Sequence, residues 1–231
     1  MDDEADLDYF PARSGKDEPS VKSFQSLVGS LLWITRCTRP GICFAVHKAT
    51  RQTQEPTTKD WKTAKRIVRY LKMSKDLKLH LNGVEPTSED VQIESWSDAD
   101  FAADKTDRIS LSTMEAEFIS ASQAGRELLG TKELLNETKL CVREPMPMWI
   151  DNQAAIKQLE SEKGASSTKH VNIRFKFICH HTQEGTVVPR FVKSQDMMAD
   201  ILTKALPAPR MEELRALFKL KATQDVVEEE C

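Results

Sequence analysis

Val91-Gln92-Ile93-Glu94-Ser95-Trp96-Ser97-Asp98 is the stretch on which the fold turns. Residues 91–97 read as a strand, and an acid follows it directly. The arrangement recurs downstream, where Met148-Trp149-Ile150 reads as a short strand closed by Asp151, and residues 186–192 read as a third strand. Helices fill the intervals. Residues 113–137 form one long helix or two, with Gly125 and Gly130 as weak points. Residues 152–159 form another, ended by the turn Gly164-Ala165-Ser166-Ser167. A helix over 169–182 is capped by Ser167, carries Val171, Phe175 and Ile178 at helical spacing, and stops at Gly185. Two more helices, 195–202 and 210–220, flank Pro207 and Pro209. Strands separated by helices argue for parallel pairing with right-handed crossovers.

Upstream the pattern is helical. Phe24, Leu27, Val28, Leu31, Leu32 and Ile34 lie on the i, i+3, i+4, i+7 face of a helix that Pro40 ends or kinks. A second helix spans 42–52, and a third opens at Thr57-Thr58-Lys59-Asp60-Trp61 and reaches about residue 72. The third is two-faced: Trp61, Ala64, Ile67, Val68 and Leu71 on one side, Lys62, Lys65, Arg66, Arg69 and Lys72 on the other, with Lys75 and Lys78 beyond. Leu77, Leu79 and Leu81 alternate with polar residues as in a short strand. Trp33, Trp61, Trp96 and Trp149 each sit in an apolar pattern and read as core. The chain thus divides into a flexible lead-in (1–22), a helical segment (23–82), a linker (83–90), an α/β domain (91–220) and an acidic tail (221–231).

Bulk properties narrow the class. The 231 residues are 39% hydrophobic and 30% charged, ordinary for a globular protein with a real core. A formal net charge of −3 gives no general attraction to phosphate, so a nucleic-acid surface would have to concentrate its cations locally, as the basic face at Lys62, Lys65, Arg66 and Arg69 does. No apolar run reaches the ~18 residues of a membrane span, and the acidic start Met1-Asp2-Asp3-Glu4 is not a signal peptide. Five scattered cysteines without a C-x-x-C pair suggest neither a zinc cage nor a disulfide framework, and an intracellular, reduced protein is expected.

Four acids are candidates for metal chemistry: Asp98 and Asp151 at strand ends, Glu117 in Met114-Glu115-Ala116-Glu117-Phe118, and Asp200 in Met197-Met198-Ala199-Asp200-Ile201-Leu202. In an open α/β sheet, ligands gather at the carboxyl ends of the strands. Phosphodiester hydrolysis by two cations ~3.5–4 Å apart needs hard carboxylate oxygens and no nucleophilic side chain. By position alone, the same acids read more readily as caps and solvated turns than as metal ligands.

The ordered series Ser97-Asp98-Ala99-Asp100-Phe101-Ala102, Leu111-Ser112-Thr113-Met114-Glu115-Ala116-Glu117-Phe118, Ile150-Asp151-Asn152, Lys169-His170-Val171-Asn172-Ile173-Arg174 and Met198-Ala199-Asp200-Ile201-Leu202-Thr203-Lys204 resembles the RNase H domains of copia-type retrotransposon Pol polyproteins. Phe24-Gln25-Ser26-Leu27-Val28-Gly29-Ser30-Leu31-Leu32-Trp33 and Thr38-Arg39-Pro40 resemble the segment that ends the reverse transcriptase of those elements. The resemblance covers roughly residues 23–220. It implies that Asp98, Glu117, Asp151 and Asp200 are metal-binding carboxylates for Mg2+ or Mn2+, that the substrate is an RNA/DNA hybrid, and that the reaction is cleavage of its RNA strand. Glu115 is the rival of Glu117. The two lie ~200° apart on a helix, so only one faces the site. Glu117 is preferred because Glu117-Phe118-Ile119-Ser120 has the Glu-x-x-small pattern of the wider RNase H group. His170 lies in a family motif and reads as structural.

Two departures from the family pattern bear on function. No polymerase fingers, palm or Tyr-x-Asp-Asp motif is present, so DNA synthesis is not expected. The family also has a β-hairpin between the positions of Asp107-Arg108 and Leu111-Ser112, where this chain has only Ile109-Ser110. The resemblance therefore implies a truncated, three-layer RNase H-like α/β fold with a short, mainly parallel sheet after a small helical segment. The expected strand order is 186–192, 148–150, 91–97, with the Asp98 strand at an edge. Loss of the hairpin puts the Glu117 helix out of its usual lead-in, and weak metal binding with low or absent cleavage is expected. The alternatives are a non-catalytic transposon remnant and a nucleic-acid-binding module built on the basic helix.

Overall fold

The computed structural model describes residues 20–80, 90–99, 113–161 and 171–222, with only the backbone of Thr113, Glu115 and residues 171–175. The lead-in to residue 19, the linker through 89, the Ile109-Ser110 junction, the Gly164–Ser167 turn with its cap, His170 and the tail beyond 222 lie outside the described residues. The chain forms two compact units, Met1–Leu81 with Lys204–Cys231, and Asn82–Thr203.

The first unit opens with helix α1 (Val21–Cys37), so the helix begins inside the segment read as lead-in. A capping box starts it. Ser20 Oγ accepts from the Ser23 amide at 3.2 Å, and Ser23 Oγ accepts from the Ser20 amide at 2.8 Å. Phe24, Val28, Leu31 and Thr35 are its buried stripe. Trp33 stands about 200° round the helix from Leu31 and is 72% exposed, which overturns its reading as core. A 3-10 turn, Pro40–Ile42, leads into α2 (Cys43–Thr50). Helix α3 (Thr58–Met73) starts on a second capping box, Thr57 with Asp60. Its buried residues Ala64 and Ile67 pack against the stripes of α1 and α2. Strand β1 (Leu77–Leu79) follows.

The second unit holds the α/β structure. The strand expected over 91–97 is broken into β2 (Asp90–Val91) and β3 (Ser95–Ser97). Then come α4 (Thr113–Glu137), β4 (Cys141–Val142), β5 (Met146–Ile150), α5 (Gln153–Glu160), α6 (Val171–Gln183), β6 (Val187–Phe191) and the short α7 (Asp200–Thr203). Residues 113–137 are one helix, not two. Residues 195–202, expected to be one helix, are a 3-10 turn (Ser194–Asp196) followed by α7. β2 pairs with β4 and β3 with β5, all parallel. The partner offset grows from 51 to 53 between the two pairs, so the β4–β5 side carries two extra residues, which accounts for the break. Among the described residues the larger sheet has the order β3-β5-β6, wholly parallel as the strand–helix alternation implied, with β5 central and β3 at an edge as the family resemblance and the missing hairpin led one to expect.

Met146, Met148 and Ile150, which share one face of β5, are fully buried, and Pro147 on the opposite face is buried too, as expected of a strand covered on both faces. On one face α4 presents Phe118, Ala121, Leu128 and Leu129, and α5 and α6 add Ala155, Leu159 and Ile178. Gly125 lets α6 approach α4, because a Cβ there would overlap Ile178 Cδ1 and lie 2.8 Å from its Cγ1. On the other face Val192, Met197 and Ala199 cluster with Trp96 and Trp149.

After Thr203 the chain returns to the first unit. Helix α8 (Ala208–Leu217) ends before residue 220, and strand β7 (Leu220–Ala222) pairs antiparallel with β1 through Leu77↔Ala222 and Leu79↔Leu220. Residues 208–222 thus belong with the helical segment, whereas the sequence reading carried the α/β domain through 220. Among the described residues no helix is long and apolar enough to cross a membrane.

Candidate metal centre

Each acid reaches the centre through the element that carries it. Continuing the register of β3 and β5 past Ser97↔Ile150 sets Asp98 level with Asp151 at the carboxyl ends of adjacent parallel strands. Helix α4 follows β3 in the chain, so its first turns lie at the same end of the sheet. Phe118, Ala121, Gly125 and Leu128 point its apolar stripe at the core, and Glu117, beside Phe118, is brought to the rim. The result is a group of three carboxylates. One oxygen from each of Asp98, Glu117 and Asp151 lies within 4.8 Å of the others. Asp98 and Glu117 are buried and Asp151 is half-buried.

Hydrogen bonds hold the group. The Ala99 amide donates to Glu117 Oε1 at 3.3 Å, joining α4 to the end of β3. Ser120, one turn after Glu117, donates to the Asp98 carbonyl at 3.0 Å and bonds the Ser97 hydroxyl at 3.0 Å. The small residue in Glu117-Phe118-Ile119-Ser120 is therefore a pin between helix and strand. Thr203 Oγ1 donates to Asp98 Oδ2. Ser194 Oγ donates to Asp151 Oδ2 at 3.1 Å. Asn152, not Asp151, caps α5, its Oδ1 accepting from the amides of Ala154 (2.9 Å) and Ala155 (3.1 Å). Asp151 is thereby released from the capping role that position alone allowed.

Asp200 is buried in the first turn of α7, where the helix dipole favours a carboxylate. It stands outside the three-carboxylate group but one turn before Thr203, which bonds Asp98. Three of the four candidate acids are thus gathered, with the fourth on the adjoining helix. Of Glu115 only the backbone is described. Thr203, Ser194 and Ser120 were not singled out as site residues from the sequence. The one available signal was helical spacing, Glu117 to Ser120 and Asp200 to Thr203. The donor set is all carboxylate oxygen, which fits a hard divalent cation such as Mg2+ or Mn2+ rather than a thiophilic metal.

The basic residues form a second feature, in the first unit. Lys62, Lys65, Arg66 and Arg69 are all exposed on α3, opposite buried Ala64 and Ile67, and the Lys65 ammonium lies 5.3 Å from the Trp61 ring centroid.

No family model matches the chain, and no solved structure matches it. Curated relatives do. The chain is 28% identical over 213 residues, 82% of its length, to the retrovirus-related Pol polyprotein from transposon TNT 1-94 of Nicotiana tabacum. It is 28% identical over 217 residues, 84% of its length, to those from transposons RE2 and RE1 of Arabidopsis thaliana. It spans 16%, 15% and 14% of those polyproteins respectively. The homologues of this chain are therefore copia-type retrovirus-related Pol polyproteins from plant transposons.

Proposed function

We propose that the second unit is an RNase H-like domain and that this transposon-derived protein hydrolyses the RNA strand of an RNA/DNA hybrid with Mg2+ or Mn2+. The observation that carries the reading is the gathering of Asp98, Glu117 and Asp151 within 4.8 Å at the carboxyl ends of parallel strands. Two of the three carboxylates are buried, where mutual repulsion is costly unless a cation or hydrogen bonds offset it, and hydroxyl donors at Asp98 and Asp151 orient two of them. Bound divalent cations would supply an activated water and stabilisation of the leaving oxygen. The chain's own contribution is to hold the carboxylates in place, through Ala99 and Ser120 on the α4 side and Thr203 and Ser194 on the other.

The test is cleavage of a labelled RNA strand in a hybrid, with and without Mg2+. Cleavage that needs the cation and disappears in Asp98→Asn and Asp151→Asn is the expected result, the gathered carboxylates being set against the loss of the hairpin, which argued for low or absent cleavage. A cation-replete protein that leaves the hybrid intact refutes the activity. A second reading, a non-catalytic nucleic-acid-binding module, is favoured by the exposed row Lys62, Lys65, Arg66 and Arg69. Hybrid binding that survives loss of the acids but not charge reversal on α3 would select it.

A further inference from the structure

Below the carboxylates lies a feature that neither the family resemblance nor the metal reading uses. Trp96 and Trp149 are cross-strand partners in the parallel pair β3–β5. Their rings stack with centroids 5.3 Å apart at 24°. Both indole N–H groups donate to one side chain. Trp96 Nε1 reaches Glu94 Oε1 at 3.3 Å, and Trp149 Nε1 reaches Glu94 Oε2 at 2.8 Å. Glu94, just before β3, thereby clasps an edge strand to its neighbour with one carboxylate. The Arg190 guanidinium, on the third strand, lies 5.9 Å from the Trp149 ring.

The clasp sits where it can set the metal centre. Asp98 is two residues beyond Trp96, and Asp151 two beyond Trp149, so the register fixed by the stacked pair is the register of the two carboxylates. The same rings pack against Val192, Met197 and Ala199. That segment runs directly into α7, which carries Asp200 and the Thr203 hydroxyl on Asp98. One platform thus supports three of the four acids. Strand β3 is three residues long and pairs on one side only among the described residues, so β-ladder hydrogen bonds alone hold it weakly. A bidentate side-chain bridge across the pair supplies the missing constraint.

We propose that Glu94 is a positioning residue for the divalent-cation centre, acting through the Trp96–Trp149 stack to hold Asp98 and Asp151 level. The proposal rests on the metal reading above. It is tested by Mn2+ titration of the full chain, with free Mn2+ followed by electron paramagnetic resonance and the indole pair followed by near-ultraviolet circular dichroism. Glu94→Ala should weaken Mn2+ binding by up to about 10-fold, the least that loss of a group bonded directly to a metal ligand costs, because Glu94 reaches the ligands only through the two indoles. Glu94→Gln keeps one acceptor oxygen and should weaken it by about 3-fold on the same scale. Trp149→Phe retains a ring but loses the shorter bond and should behave like Glu94→Gln. These two milder variants carry the test if Glu94→Ala does not fold. Unchanged Mn2+ affinity in Glu94→Gln and Trp149→Phe, with the indole-pair signal changed in Glu94→Gln, overturns the proposal, leaving the clasp a purely structural bond. A wild-type chain that binds no Mn2+, or Asp98→Asn binding as wild type does, overturns the metal reading itself and the positioning role with it.

Discussion

Two glycines on one helix should respond oppositely to the same substitution. Gly125 and Gly130 both lie inside α4, and propensity treats them alike: Gly→Ala in a helix interior gains about 1 kcal/mol. Their surroundings differ. A Cβ at Gly130 meets nothing within 4 Å, whereas one at Gly125 overlaps Ile178 Cδ1, lies 2.8 Å from Ile178 Cγ1 and touches Met148 Sδ at 3.6 Å. Ile178 is fully buried, so its Cδ1 could give way only by repacking the core around it. Overpacking of this kind costs about 1–3 kcal/mol, which offsets or exceeds the propensity gain. Gly130→Ala should therefore stabilise by about 0.5–1 kcal/mol, and Gly125→Ala should destabilise by up to about 2 kcal/mol. Ile178→Val removes the clashing methyl. Alone it should cost about 0.5–1.5 kcal/mol, and in the Gly125→Ala background it should cost nothing or restore stability. Urea denaturation of the four variants measures all of this. If Gly125→Ala stabilises as much as Gly130→Ala, or the pair with Ile178→Val is additive, the close packing of α6 on α4 is wrong.

If the basic face of α3 contacts nucleic acid, charge reversal at Lys62, Arg66 and Arg69 should lower hybrid affinity and flatten its dependence on salt by about 0.9 in log–log slope for each phosphate no longer neutralised, and an unchanged slope would leave the face as solubilising charge. Burial pushes the Cys43 and Cys179 thiols above their ordinary range. Alkylation at pH 8 followed by peptide mapping should therefore label exposed Cys37 and Cys141 first, and equal rates at all four would contradict the packing around Cys43 and Cys179.

Much of the arrangement was legible because it is local or periodic. Phe24, Val28 and Leu31 announce α1 by spacing, and the alternation of strands with helices implies parallel pairing, while the place of the Met146–Ile150 strand in the middle was implied only by the family resemblance. Asp98 and Asp151 could be expected as neighbours for the same reason. What escaped depends on residues far apart in sequence. The bond from Thr203 to Asp98 spans 105 residues, and that from Ser194 to Asp151 spans 43. The pairing of Leu220–Ala222 with Leu77–Leu79 likewise has no local sign, since Leu-Lys-Ala suits the end of a helix as well as a strand. Trp33 misled because large aromatic residues are usually buried, yet it lies off the stripe that its own helix buries.

The divalent-cation site proposed at Asp98, Glu117 and Asp151 is tested by a thermal melt across a Mg2+ titration. Ligand binding to the folded state alone stabilises by RT ln(1 + [L]/Kd), about 2.7 kcal/mol at a concentration 100-fold above Kd. The wild-type chain should rise in Tm with Mg2+, and Asp98→Asn, Glu117→Gln and Asp151→Asn should each lose most of that rise while Glu115→Gln keeps it. A Tm indifferent to Mg2+, or a rise that all three variants retain, would contradict the site.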